Sequence, residues 1–198
     1  MKRILSAQLL AGTLTITAIA PSLALAQAGN TPLPVQQQAV EPEVNPPGDI
    51  PDTQVFVPYT SPQGFHLEVP EGWARSGNDQ KVHFADKYGS VDVQVNPAKS
   101  APAAASAQQQ QVAALMASNR AVEISQVQDV QLPSGPAVRI DYASNSKPNP
   151  VTDKQIRLEN AEYLFYKGGK LVAVTFSAPY GADNVDQWRY MSESFGWS

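Results

Sequence analysis

The sequence predicts an α+β domain: a largely antiparallel β-sheet with helices packed on it. Three observations carry that expectation. Short β-prone runs alternate apolar and polar residues and are punctuated by Gly, Pro and Asn turn signals. The last two long runs are apolar on both faces, as strands covered from both sides are. Two segments, residues 101–119 and 183–195, abandon that rhythm for helical spacing.

The domain opens with Val55 and Val57 alternating before a turn at Ser61-Pro62-Gln63-Gly64. Phe65, Leu67 and Val69 then alternate with His66 and Glu68, a half-buried strand. Pro70-Glu71-Gly72 turns the chain and delivers Trp73. A short strand over residues 81–85 follows, and after Tyr88-Gly89 the residues Val91, Val93 and Val95 point inward while Asp92 and Gln94 point out. Residues 101–119 are rich in Ala and Gln, good helix formers. Ala105, Gln108, Val112, Leu115, Met116 and Asn119 keep helical spacing, with Val112, Leu115 and Met116 as the apolar patch and a polar outer face.

Two more strands meet across Pro133-Ser134-Gly135-Pro136, and in the second Val138, Ile140 and Tyr142 alternate with Arg139 and Asp141. The strongest hairpin signal spans Lys167-Gly168-Gly169-Lys170. It joins a run with Tyr163 and Phe165 on one face and Leu164 and Tyr166 on the other to a run with Val172, Val174 and Phe176 against Leu171 and Ala173. The closing stretch reads as a helix. Asp183 is placed to cap it, Asp186 stands in its first turn, and Val185, Trp188, Met191 and Phe195 fall on one face. Arg189 is set to pair with Asp186 or Glu193. Trp197, so near the terminus, is either a packed plug or an exposed contact.

Upstream, Lys2 and Arg3 precede an apolar stretch that Pro21 breaks, and Ala24-Leu25-Ala26 supplies a small-x-small pattern. This reads as a secretory signal peptide over residues 1–26, cut between Ala26 and Gln27. Gly12 and scattered Ser, Thr and Gln make it a poor membrane span. Residues 27–54 are Pro- and Gln-rich, with four acids, no base and no aromatic, and read as a solvated, disordered tether. Residues 55–198 remain as one domain.

The 198-residue chain has 14 basic and 18 acidic residues, net −4. Without Lys2, Arg3 and the tether's four acids the balance is 12 against 14, with the charges interspersed. That is no electrostatic footprint for nucleic acid and no basic run for anionic lipid. The chain has no cysteine, which excludes a thioether lipid anchor, disulfides, a thiol nucleophile and thiolate metal sites. The expected protein is exported, periplasmic or extracellular in a bacterium, and is not membrane-anchored after processing.

Candidate chemistry is sparse. His66 and His83 are the two histidines, and with Asp92 they make a candidate two-His-plus-carboxylate metal set. The competing reading is that they are solvated strand residues. No Gly-x-Ser-x-Gly elbow, His-Glu-x-x-His, phosphate loop or dinucleotide fingerprint occurs. Glu68, Asp92, Asp141 and Glu159 are the carboxylates open to a glycosidase-like site. The alternating outward positions they occupy also suit solvated sheet residues. No catalytic residue and no cofactor is assigned.

The run Tyr59 to Trp73, with Gly64-Phe65 and Gly72-Trp73, resembles the opening of PsbP-like domains. Gly168 to Gly181, a polar loop, and Trp188 through Ser194-Phe195 are similar to their closing hairpin and final helix. The chain is on these residues similar to the PsbP/Mog-like superfamily over residues 55–198, and to its exported bacterial members of the LpqN type. The resemblance implies an α/β/α sandwich around an antiparallel sheet. It also implies a binding or accessory role, and it brings no catalytic motif. The expected function is an exported cell-envelope module that engages a protein or envelope-lipid partner. A small-ligand carrier with an apolar cavity between sheet and helix, or an envelope hydrolase using paired carboxylates in a deep cleft, stand as alternatives.

Overall fold

A computed structural model describes residues 37–118 and 120–198. The signal-peptide reading of residues 1–26, with its cut between Ala26 and Gln27, lies outside the described residues, as does the start of the tether.

The alternating runs form antiparallel strands, and these sort into two sheets. The small sheet holds β1 (Phe56–Ser61), β2 (Phe65–Pro70) and β10 (Gly196–Trp197), in the order β1-β2-β10. The large sheet holds β3 (Ala74–Gly77), β4 (Lys81–Asp86), β5 (Gly89–Pro97), β6 (Glu123–Leu132), β7 (Gly135–Asn145), β8 (Arg157–Lys167) and β9 (Lys170–Pro179). Its order is β3-β4-β5-β9-β8-β7-β6. Helix α1 (Ala104–Met116) carries the chain from β5 to the far edge at β6, and α2 (Val185–Ser194) leads into β10. The β8–β9 hairpin closes where expected. Gly168 and Gly169 have φ of 57° and 83°, the paired positive values a two-residue type I′ turn needs. Strand β3 was not foreseen. It is an exposed edge of four residues with no apolar alternation.

The expected two-sided burial of β8 and β9 is present, but the covers differ. Ala161, Tyr163 and Phe165 join a core with Val172, Val174, Phe176, the small sheet and α2. Leu164 joins Val138, Ile140, Tyr142 and Ala173 beneath α1. One cover is thus a second sheet reinforced by a helix. Periodicity identifies a strand's buried face but not which layer covers it, so the two-sheet division was invisible locally.

Phe195 locks the layers together. Its ring stacks on Phe165 of the large sheet at 3.8 Å and 12°, and on Phe65 of the small sheet at 5.6 Å and 18°. Trp197 meets it edge-on at 5.2 Å, and the Trp197 backbone in β10 pairs with Phe65 of β2. Trp197 is therefore a half-buried strand residue against the core.

Helix α1 corrects the expected patch. Met116 is exposed, and the inward line runs through Ala107, Gln111 and Leu115, with Val112 beside it. Gln111 is thus no part of a purely polar outer face. Its side-chain amide donates to Glu162, which is buried at 2% exposure in β8. The helix starts where Asp129 of β6 accepts from the Ala104 N–H at 2.9 Å and Ser106 accepts from the Ala103 N–H at 3.0 Å. Glu162 Oε2 has no hydrogen-bond partner among the described residues. Burial holds this carboxyl up at about 7, with the Gln111 bond pulling the other way. Burial, then the nearby Glu162 charge, also raises the Tyr142 phenol.

Two predictions follow from this core. Phe195→Ala removes the ring shared by both sheets and is expected to cost about 3–5 kcal/mol in denaturant unfolding. A loss under about 1 kcal/mol would show that the sheets hold together without it. Glu162 gives a pH signature. Between its unfolded value near 4.5 and its folded value of about 7 the folded chain keeps a proton that the unfolded chain releases. Stability should therefore fall as pH rises through that window, by on the order of 2–3 kcal/mol, and level off above it. Glu162→Gln should flatten the window in unfolding curves taken at pH 4.5 to 8, and an unchanged slope would contradict the assignment.

Candidate functional site

The tether reading fails for residues 37–54, which pack against the domain without regular secondary structure. Two buried asparagines hold this arm. Asn145, at the end of β7, accepts from the Val40 N–H at 3.1 Å and donates to the Gln38 carbonyl at 2.8 Å. Asn184, before α2, accepts from the Ile50 N–H at 2.7 Å and donates to the Gly48 carbonyl at 2.9 Å. Each amide thus reads a carbonyl and the N–H two residues on, as a neighbouring strand would. Ile50 enters the main core at 2% exposure. Gly48 passes so close to Pro179 that a Cβ there would sit 2.8 Å from the proline Cδ. Between the clamps residues 41–47 are mostly exposed, and the arm forms a strap. Its order comes from the two amides, from Ile50 and from further bonds such as that of the Gln187 amide to the Ile50 carbonyl, and not from periodicity, which is why composition read it as a tether.

These contacts also correct the reading of α2. Asn184, not Asp183, is the N-cap residue, and its side chain serves the strap instead of the helix. The Asp183 N–H donates to Asp49 at 2.8 Å. Val185 is exposed, because the first turn projects past the core, while Met191 and Phe195 are buried as the spacing implied. Arg189 pairs with Asp186 at 2.8 Å.

A groove of about 760 Å³ lies between the strap, the ends of β6–β8 and α2. The β7–β8 register sets Arg139 opposite Tyr163, Asp141 opposite Ala161, and Ala143 opposite Glu159, all on one face. Of these, Arg139, Asp141, Ala143, Glu159 and Tyr163 form the floor. Strap residues 39–42, Glu123 and Ser125 of β6, and Val185, Trp188 and Arg189 of α2 form the walls. Trp188 also stacks on Phe176 at 6.1 Å, so it is both core and groove wall. The carrier alternative foresaw a cavity between sheet and helix. The cavity is there, but charged and aromatic side chains line it.

The groove's arginines are all engaged. Arg139 places Nε and Nη2 each 2.9 Å from Asp141 Oδ1, and its guanidinium lies 5.6 Å from the Tyr163 ring centre. Arg157 is buried and donates to the Ala121 carbonyl at 2.7 Å and to Asn145 at 3.2 Å. Its Nη2 is 3.0 Å from Glu123 Oε2, close enough for charge attraction but not aligned as a hydrogen bond. Arg157 thereby fixes Asn145, which fixes the strap. Glu159 has no ion-pair partner among the described residues. Burial and the Asp183 charge raise its carboxyl, and the Gly181 N–H works against them.

The other candidates disperse. His83 Nδ1 and Asp92 Oδ1 are 3.0 Å apart across the β4–β5 ladder, on the face away from the groove. His66 is on β2 in the other sheet, packed against Gly196, so the three do not converge. Among the described residues no three His, Cys, Asp or Glu side chains are set to hold a metal. Glu68 accepts from the Tyr190 hydroxyl, and only Asp141 and Glu159 of the four candidate carboxylates share the groove. Asn145, Arg157 and Asn184 were missed: a buried polar residue that serves a distant backbone leaves no local periodicity.

Two sheets with α1 on the outer face of the large one and α2 beside the small one define a PsbP/Mog1-like α+β fold. The chain is similar to cyanobacterial PsbP (CyanoP) of Synechocystis sp. PCC 6803, with a TM-score of 0.56 and 13% identity over 76% of this chain and 98% of that one. It is similar also to the Ran-binding protein Mog1p of Saccharomyces cerevisiae, with a TM-score of 0.52 and 12% identity over 73% and 96% of the two chains. No family model and no curated protein matches the sequence. No helix among the described residues is long and apolar enough to cross a membrane.

Asn184→Ala should free the strap's second anchor. Hydrogen exchange at the Ile50 amide is expected to accelerate, with a stability loss of about 1–3 kcal/mol for the groups left unpaired. Unchanged protection at Ile50 would mean that the strap is held by other contacts.

Proposed function

We propose that this chain is an exported, non-catalytic binding or accessory module of the bacterial cell envelope, and that it engages a protein or envelope-lipid partner through the strap-roofed groove. The groove carries this reading. It is roomy, it is built from five separate stretches of the chain, and its arginines have carboxylate partners. The N-terminal basic, apolar and small-x-small pattern supports export. The fold shared with PsbP and with a Ran-binding protein agrees with a binding role.

Val185 is exposed at the groove wall, so Val185→Arg should obstruct the groove while changing stability by less than about 0.5 kcal/mol. In affinity capture from the native envelope followed by mass spectrometry, partners retained by the wild-type chain should be lost with this variant. An identical retained set would overturn the groove as the site. The same preparation tests export: a mature N-terminus at Gln27 is expected, and an intact Met1 contradicts it.

A carboxylate hydrolase is the second reading, favoured because Asp141 and Glu159 line one groove in unlike surroundings, the first paired with Arg139 and the second with no base among the described residues. Turnover of a model glycoside that is lost in both Asp141→Asn and Glu159→Gln would replace the binding reading with this one.

A further inference from the structure

We infer that the groove receives a basic side chain, a lysine or arginine presented by a protein partner, with Glu159 as its counter-charge and Trp188 as its aromatic wall. The inference rests on the groove reading above and adds the ligand's chemistry. It begins with the charges. Arg139 is matched by Asp141, Arg157 by Glu123 and Arg189 by Asp186, each within 3.0 Å. No groove arginine is left to attract an anion. The lining carboxylates without a basic partner among the described residues are Glu159 on the floor and Glu41 on the strap. The Asp183 charge nearby adds to the negative potential that a cation would meet at Glu159.

The walls suit the stem of such a side chain as well as its head. Lysine and arginine lay their methylenes on apolar surface, and aromatic faces attract the cation. The floor already shows that chemistry, since the Arg139 guanidinium sits over the Tyr163 ring while bound to a carboxylate. A protein source is favoured over an ammonium lipid headgroup by the rim. Tyr180 and Val185 both line the groove and stay exposed at 45% and 68%, apolar surface that a protein partner would cover around an inserted side chain.

The test is a nuclear magnetic resonance titration of the full chain with three probes: a short blocked lysine peptide, the same peptide with norleucine in place of lysine, and vesicles containing phosphatidylethanolamine. The expected result is shifts confined to β7, β8 and the start of α2 with the lysine peptide alone. Glu159→Gln should weaken that binding by roughly tenfold or more, as loss of a partly buried charge pair does. Its spectrum otherwise reports whether it has kept the fold. Equal shifts with norleucine, or indifference to Glu159→Gln, would overturn the cation while leaving the groove reading in place. Shifts with the vesicles and not the peptide would overturn the protein source. Groove silence with every probe, joined to capture that Val185→Arg does not change, would overturn both readings.

Discussion

The stack of Phe165, Phe195 and Phe65 is the contact on which the architecture depends. A three-stranded sheet is a small body with few residues to bury, and it cannot hold its own position beside a seven-stranded one. Phe195 supplies the attachment because it stands at the end of α2 and just before β10. The helix, the last strand and both sheets therefore meet at one ring. The chain's final residues do the joining, so the small sheet, which β1 and β2 begin, is finished only by residues far downstream.

From that joint the groove follows. The small sheet and α2 cover the middle of the large sheet, and beyond α2 the ends of β6, β7 and β8 are left bare. Charged residues stand there at the start of β8, before its apolar section, at Arg157 and Glu159. The strap then closes the open side. Asn145 and Asn184 hold it chiefly through its backbone, at Gln38, Val40, Gly48 and Ile50, which leaves residues 41–47 without sequence demands from the clamps. A groove with paired arginines in its lining and a peptide roof is what remains when two sheets of unequal width are pinned at one side.

Much of the large sheet was legible. Alternation at Val91 and Val93, the two-faced runs of β8 and β9, and the Gly168-Gly169 turn each state a strand or a turn through local physics. The closing helix was legible from Trp188, Met191 and Phe195. What escaped were features with no period: β3, the N-cap at Asn184, the inward Gln111 and the ordered arm. The groove was half legible. Asp141 and Glu159 were singled out as carboxylates, and Trp188 as a packed residue, but nothing in their spacing placed them around one space. The resemblance seen in the residues around Phe65, Trp73 and Phe195 pointed to the fold for a physical reason, since those are turn and core residues that the fold needs.

The sequence by itself determined the α+β class, the antiparallel pairing of neighbouring strands and the absence of any cysteine chemistry. Those depend on residue type and on spacing within a few positions. Tertiary structure alone decided that there are two sheets, that residues 37–54 form a strap, and that Glu159 lines one groove with Trp188 and has no ion-pair partner among the described residues. Those outcomes depend on residues more than a hundred positions apart, such as Val40 with Asn145 and Ile50 with Asn184. Single buried amides and unpaired charges act at such range without leaving a pattern in the chain, because their partners are chosen by the fold and not by their neighbours.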